Sequence, residues 1–192
     1  MQNSRFKSRS LACVAAFVAS LLGGCATQQL PPITPVPEVD LARFMGPWYV
    51  IAVIPTAIET EAYNAVEAYQ LDKDGTIATT FTFNKGAFDG PLKTYTPRGF
   101  VREGTNNAVW GMQFIWPIKA EYLIAYLDSD YQHTIIARNA RDYVWIMARQ
   151  PQISKDTYQK LVAEVIALGY DSRALRKVPQ QALPTTSAKG AD

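Results

Sequence analysis

Gly46-Pro47-Trp48-Tyr49 and Tyr143-Val144-Trp145-Ile146-Met147-Ala148-Arg149 bracket the central part of this 192-residue chain. The first heads the earliest strand-like run, and the second closes the last. If the chain between them forms a closed antiparallel barrel, Trp48 and Arg149 meet at the same end. A guanidinium resting on an indole face there seals a barrel floor through apolar contact and cation–π attraction. The pair therefore predicts a cup.

Between the two segments, apolar alternation recurs between turn signals at spacings of roughly 8–14 residues, the pattern of an all-β sandwich or barrel. The runs are Trp48–Pro55, Tyr63–Leu71, Thr76–Asn84, Leu92–Glu103, Ala108–Phe114, Glu121–Asp128, Tyr131–Arg138 and Tyr143–Arg149. Asp72-Lys73-Asp74-Gly75 and Gly104-Thr105-Asn106-Asn107 supply tight turns. Eight strands are an even number, able to close an antiparallel up-and-down barrel without leaving an edge. The period then switches. Ser154 can cap a helix whose apolar residues Tyr158, Leu161, Val162, Val165 and Leu168 form one stripe, and Gly169 ends it. This C-terminal α-helix is expected to pack outside the barrel.

Strand parity yields a map. With the first strand running up from the floor, the turns at 72–75, 104–107 and 128–131 lie at the floor. The connections at 55–62, 85–91, 115–120 and 139–142 lie at the mouth. Trp48 pointing inward brings Val50, Ala52 and Ile54 with it. Trp110, Met112 and Phe114 share a face of the fifth strand, and Tyr63, Tyr69 and Leu71 a face of the second.

The N-terminus reads as a targeting segment. Arg5, Lys7 and Arg9 precede a twelve-residue apolar run, Leu11 to Leu22, too short to span a bilayer but suited to secretion. Leu22-Gly23-Gly24-Cys25 resembles the lipobox of bacterial lipoproteins, which implies a lipidated Cys25 and a membrane anchor. Ala26, not aspartate, follows the cysteine, and by the same resemblance this favours the outer membrane, facing the periplasm. Residues 1–24 are then the signal, 25–39 the lipidated cysteine and a proline-rich tether, 40–177 the folded domain and 178–192 a flexible tail. Cys13 leaves with the signal and the Cys25 thiol is consumed, so no disulfide is expected. Without the three signal cations, 16 basic residues face 17 acidic ones. No basic patch remains to argue for nucleic acid.

At this point the chain resembles the lipocalin family, and within it the bacterial outer-membrane lipoproteins. Gly46-Pro47-Trp48-Tyr49 matches the family's Gly-x-Trp motif. Asp128-Ser129-Asp130-Tyr131-Gln132-His133 is similar to its second motif, though not in the common Thr-Asp-Tyr form. Trp145-Ile146-Met147-Ala148-Arg149 with Pro151 is similar to its third, ending in the floor arginine. The resemblance covers about residues 40–177 and implies an eight-stranded calyx with a ligand cavity. It makes Gly46, Trp48 and Arg149 structural, and puts Trp145 inside with Tyr143 above and Met147 below.

Ligand contacts are expected from Trp145, Tyr143, Met147, Tyr69, Trp110 and Met112. Residues alone leave a side-chain-filled barrel and a ligand-holding one both open. The mouth mixes Lys85, Lys93, Lys119, Arg138 and Arg141 with Glu59, Glu61, Asp89 and Asp142. Lys119, beside Trp116 and Pro117, is the first choice for a head group, and Glu59 and Glu61 read as ordinary loop charges. The leading function is an anchored carrier of fatty acids (palmitate, for example) or lysophospholipids. A carrier of haem, a pigment or a signalling molecule, an enzyme on this scaffold, and a purely structural lipoprotein are the alternatives. The isolated His133 and the lack of a nucleophile–base–acid set argue against the enzyme; no metal or cofactor is expected. Trp116 at the mouth would suit a homodimer contact, membrane approach or ligand contact.

Overall fold

The computed structural model describes residues 30–182, of which residue 32 onward belongs to one compact unit. The expected signal, Cys25, the first part of the tether and the end of the tail lie outside the described residues. A short helix, α1 (Leu41–Phe44), leads into β1 (Gly46–Ile54), β2 (Ala62–Leu71) and β3 (Thr76–Lys85). Then come β4 (Leu92–Tyr95), β5 (Arg98–Val101), β6 (Val109–Ile115), β7 (Ile118–Leu127), β8 (His133–Ala137) and β9 (Val144–Ala148). Apart from β4 and β5, which both lie on β3, consecutive strands pair antiparallel, and β9 returns to β1 to close an eight-stranded barrel. The helix α2 (Lys155–Ala167) and a short strand β10 (Arg176–Lys177) on the edge of β1 complete the chain.

The strand expected over Leu92–Glu103 is broken in two. Pro97 has no N–H to give the ladder, and the strand is interrupted there while both halves stay on β3. β4 pairs with β3 alone among the described strands, whereas β5 joins β3 to β6.

Two cores result. The interior holds Trp48, Val50, Tyr69, Phe81, Trp110, Tyr122 and Met147 among others. A second core lies under α2, where Leu161 and Val165 meet Ile51, Ala52, Val144 and Ile146 on the outer wall. The helix is as expected. Ser154 Oγ accepts from the Thr157 N–H at 3.0 Å, and Gly169 at φ +91° turns the chain away.

Parity fails where strands bulge. A register shift between Val50 and Ala52 inserts one residue into β1, so Val53 packs inside, while Ala52 and Ile54 turn outward under α2. A single inserted residue exchanges the two faces beyond it. The same happens in β2 between Tyr63 and Val66, with Asn64 at φ +49°. Tyr63 therefore packs against Phe88 and does not share the Tyr69 face. Gln180 Nε2 donates to the carbonyls of Val50 and Ala65 at these two bulges, each at 2.9 Å. Residues 178–181 are thus held against the barrel where a loose tail was expected.

The proline-rich segment is likewise docked from residue 33 on. The Ile33 N–H donates to Asn139 Oδ1 at the mouth end, Val36 bonds the Ile124 carbonyl, and Val39 reaches Asn106 at the floor. Val39 is fully buried.

Candidate functional site

The floor forms as the paired motifs require. The Arg149 guanidinium lies 3.8 Å from the centre of the Trp48 ring. Its N–H groups donate to the carbonyls of Pro47 (2.8 Å), Arg43 (2.8 Å), Phe44 (3.0 Å) and Tyr131 (3.3 Å). Gly46, at φ +92°, passes directly beneath it: a β-carbon there would stand 3.5 Å from Arg149 Nη1. Phe44 stacks obliquely on Trp48 and edge-on to Trp110, and Trp48 Nε1 donates to the Phe44 carbonyl at 2.8 Å. Phe44, Trp48 and Trp110 are fully buried, while Arg149 and Gly46 keep part of their surface in solvent on the underside of the floor.

His133 belongs to the same end. Its Nδ1 lies 2.7 Å from Asp128 Oδ2, while Asp128 Oδ1 accepts the backbone N–H groups of Gln132 and His133. Asp128 is thus the residue that ties the β7–β8 turn. Burial pushes its carboxyl up, but the hydrogen bonds from His133 and Gln132 outweigh this and leave it below the usual range.

Above the floor the barrel is hollow. A cavity of about 460 Å³ opens at the mouth, walled by Phe81, Tyr95, Met112, Tyr122, Tyr143 and Trp145. That is within the span of small-molecule pockets, roughly 300–1,000 Å³. Met112, Tyr143 and Trp145 line it. Tyr69, Trp110 and Met147 are buried in the layer beneath, with Trp110 stacked on Tyr122 at 5.2 Å. Lys119 does not line it. Ala120 and Tyr122 face inward, so Lys119 turns to the outer surface, with its stem over Gly111 and its Nζ 3.5 Å from the Phe100 ring centre. The mouth cation that does line the cavity is Arg138, ion-paired to Asp142 at 3.4 Å.

Polar groups face the cavity that sequence reasoning passed over. Glu59, expected as a loop charge, is 4% exposed. It accepts from the Thr56 N–H at 2.8 Å and from Trp145 Nε1 at 3.2 Å, folding the β1–β2 connection over the mouth. Glu61, its companion, stays on the surface and pairs with Lys85. Deeper in, the Tyr69 hydroxyl donates to Glu67 and lies 2.6 Å from the Tyr122 hydroxyl. Burial raises both carboxyls. Glu67 is pushed up to about 7, chiefly by desolvation with Glu59 adding to it, against the Tyr69 hydrogen bond. Parity carried the signal for Glu67: it stands two residues before Tyr69 on the same face.

Relatives agree with this geometry. A family model described as a lipocalin-like domain matches residues 39–180. The temperature-induced lipocalin-1 of Arabidopsis thaliana is 31% identical over 166 residues, covering 79% of this chain and 85% of its own. The outer membrane lipoprotein Blc of Escherichia coli K12 is 29% identical over 167 residues, covering 85% and 93%. Among solved structures, insecticyanin from the tobacco hornworm Manduca sexta superposes with a TM-score of 0.61 at 14% identity, over 80% of this chain and 92% of its own. Lobster apocrustacyanin A1 does so at 0.57 and 15% identity, over 73% and 79%. At these identities the structures speak for the fold.

Proposed function

The chain belongs to the lipocalin family, and from that premise we propose that it is a carrier of fatty acids or lysophospholipids, held at the outer membrane by a lipid on Cys25. The observation that carries this reading is the open, mainly apolar cavity between Trp145 and Met112. Each buried methylene contributes roughly 0.8 kcal/mol, so a 16-carbon chain offers about 12 kcal/mol before association costs of several kcal/mol. Arg138 is the cation within reach of a carboxylate or phosphate at the rim.

The anchor supports the same picture. A relative of similar length is an outer membrane lipoprotein. Ile33 sits at the mouth end, and a chain spans at most about 3.3–3.6 Å per residue. A lipid on Cys25 would therefore hold the mouth within roughly 30 Å of the bilayer. Ile115, Trp116 and Ile118 are exposed at that end, an apolar tip that a homodimer or the nearby bilayer would cover. Solvent extraction of the purified protein followed by mass spectrometry tests the carrier reading. Acyl lipids in the extract support it. A coloured extract points instead to a pigment or haem carrier. An empty extract, with no binding of a fluorescent fatty acid, overturns it.

A further inference from the structure

Large apolar side chains left in solvent gather at one end of this molecule. β6 and β7 meet in a two-residue turn, Trp116-Pro117, between the paired Ile115 and Ile118. Phe114, Ile115, Trp116 and Ile118 are all exposed there, Trp116 at 82%. Ile58 and Phe88, in the β1–β2 and β3–β4 connections, and Leu92, at the start of β4, add to the same rim. Elsewhere among the described residues, only Leu71 at the floor, Ile166 on α2 and Leu30 in the tether are large apolar side chains so exposed.

A bilayer surface is the partner this tip fits. The tip shares its end of the barrel with the docked tether, because Ile33 bonds Asn139 in the β8–β9 connection. A lipid on Cys25 would hold the tip, like the rest of the mouth, within roughly 30 Å of the bilayer. Little unpaired backbone would enter with the side chains, since Pro117 carries no N–H and the residues flanking the turn are paired. An indole suits the headgroup layer, with an apolar body and one polar N–H. The charges nearby do not form a basic patch, for Lys85 pairs with Glu61 and Arg138 with Asp142. The attraction is therefore apolar. A second copy of the chain fits less well: four side chains on one turn fall far short of the roughly 20–30 residues that a stable dimer places on each side.

We propose that the β6–β7 tip inserts into the bilayer surface and seats the barrel mouth-down on it. This goes beyond the carrier reading and takes from it only the anchor on Cys25. The anchor sets the distance to the membrane, and the tip sets the orientation. Phe114 and Ile115 belong both to the tip and to the cavity wall, so the seated mouth opens toward the acyl chains.

Vesicles of phosphatidylcholine and phosphatidylethanolamine test this without cargo. The parent protein is the chain from residue 25 with Cys25→Ser, which carries no acyl group and keeps the compact unit from residue 32 whole. It is expected to float with the vesicles at about 1 mM lipid, and to do so still in about 0.5 M salt, where charge attraction is screened. Adding Trp116→Ser and Ile118→Ser together lowers the partition coefficient at least about tenfold. The melting temperature stays within a few degrees, because both side chains stand in solvent. Brominated lipid quenches tryptophan emission in the parent, and Trp116→Phe, which still floats, loses most of that quenching. Equal flotation of the parent and the double variant, flotation abolished by salt, or quenching unchanged in Trp116→Phe overturns the proposal. So does a parent that stays off the vesicles, whether as a monomer or as a dimer that the double variant dissolves. In each of these cases the carrier reading stands, since it falls on an empty extract instead.

Discussion

The Trp145 indole N–H donates to Glu59 Oε2 at 3.2 Å, joining the last barrel strand to the loop that follows the first. The contact makes Trp145 a wall of the cavity and a strut for its mouth. Truncation should therefore act on binding before stability. Trp145→Ala is expected to weaken fluorescent fatty-acid binding at least tenfold while shifting the melting temperature by only a few degrees. Trp145→Phe, which keeps the ring but drops the donor, should lose less. Equal affinity in all three proteins would remove Trp145 from the ligand surface.

The floor should respond in the opposite sense. Trp48 is fully buried, and Arg149 satisfies carbonyls from α1, β1 and the β7–β8 turn at once. Lysine has no planar fork to replace it. Trp48→Ala is expected to cost about 3–5 kcal/mol, and Arg149→Lys about 2–3 kcal/mol from unmet carbonyls. Both are read from urea midpoints. Ligand affinity, measured well below the unfolding midpoint, should stay within about threefold of wild type. A large affinity loss in a folded Arg149→Lys protein would make the floor part of the site.

The floor was legible in the sequence because its residues sit in compact motifs whose chemistry needs no register: an indole, a guanidinium and a glycine beneath them. The helix was legible because one stripe and two caps identify it. Interior parity was not. The bulge at Ile51 adds a residue without marking it by a glycine or proline, so Ala52 and Ile54 changed face. Lys119 was placed by nearness to the mouth, whereas alternation with Ala120 and Tyr122 puts it outside. Glu59 could not have been read as buried at all, since its partner lies 86 residues away.

Acid should loosen the floor turn through Asp128. Its folded carboxyl titrates below its ordinary 3.8, so the stability it contributes is present above about pH 4 and is lost as pH falls through the lower folded value. Asp128→Asn should flatten the stability profile between pH 5 and pH 3, measured as urea midpoints, and lower the plateau near pH 6. A mutant profile parallel to wild type over that range would place the acid sensitivity elsewhere.

Glu67 should produce a slope of the other sign at higher pH. Its carboxyl goes from 4.5 in an unfolded chain to about 7 in the fold, with burial as the main cause and Glu59 reinforcing it. Between those values the native state holds a proton that the unfolded chain has released, so stability falls as pH rises and levels off above about 7. At 1.36 kcal/mol per unit, the full effect is at most about 3 kcal/mol. Tyr69 and Tyr122 face the same carboxyl but stay neutral throughout, because burial raises both well above 10. Glu59 titrates upward too, so wild type and Glu67→Gln must be compared rather than either read alone. Glu67→Gln should match wild type near pH 5 and exceed it at pH 8, with urea midpoints as the readout. Coincident profiles from pH 5 to pH 8 would mean that Glu67 releases its proton as easily inside the barrel as in water. The base of the cavity would then be wet and open rather than sealed beneath the apolar walls.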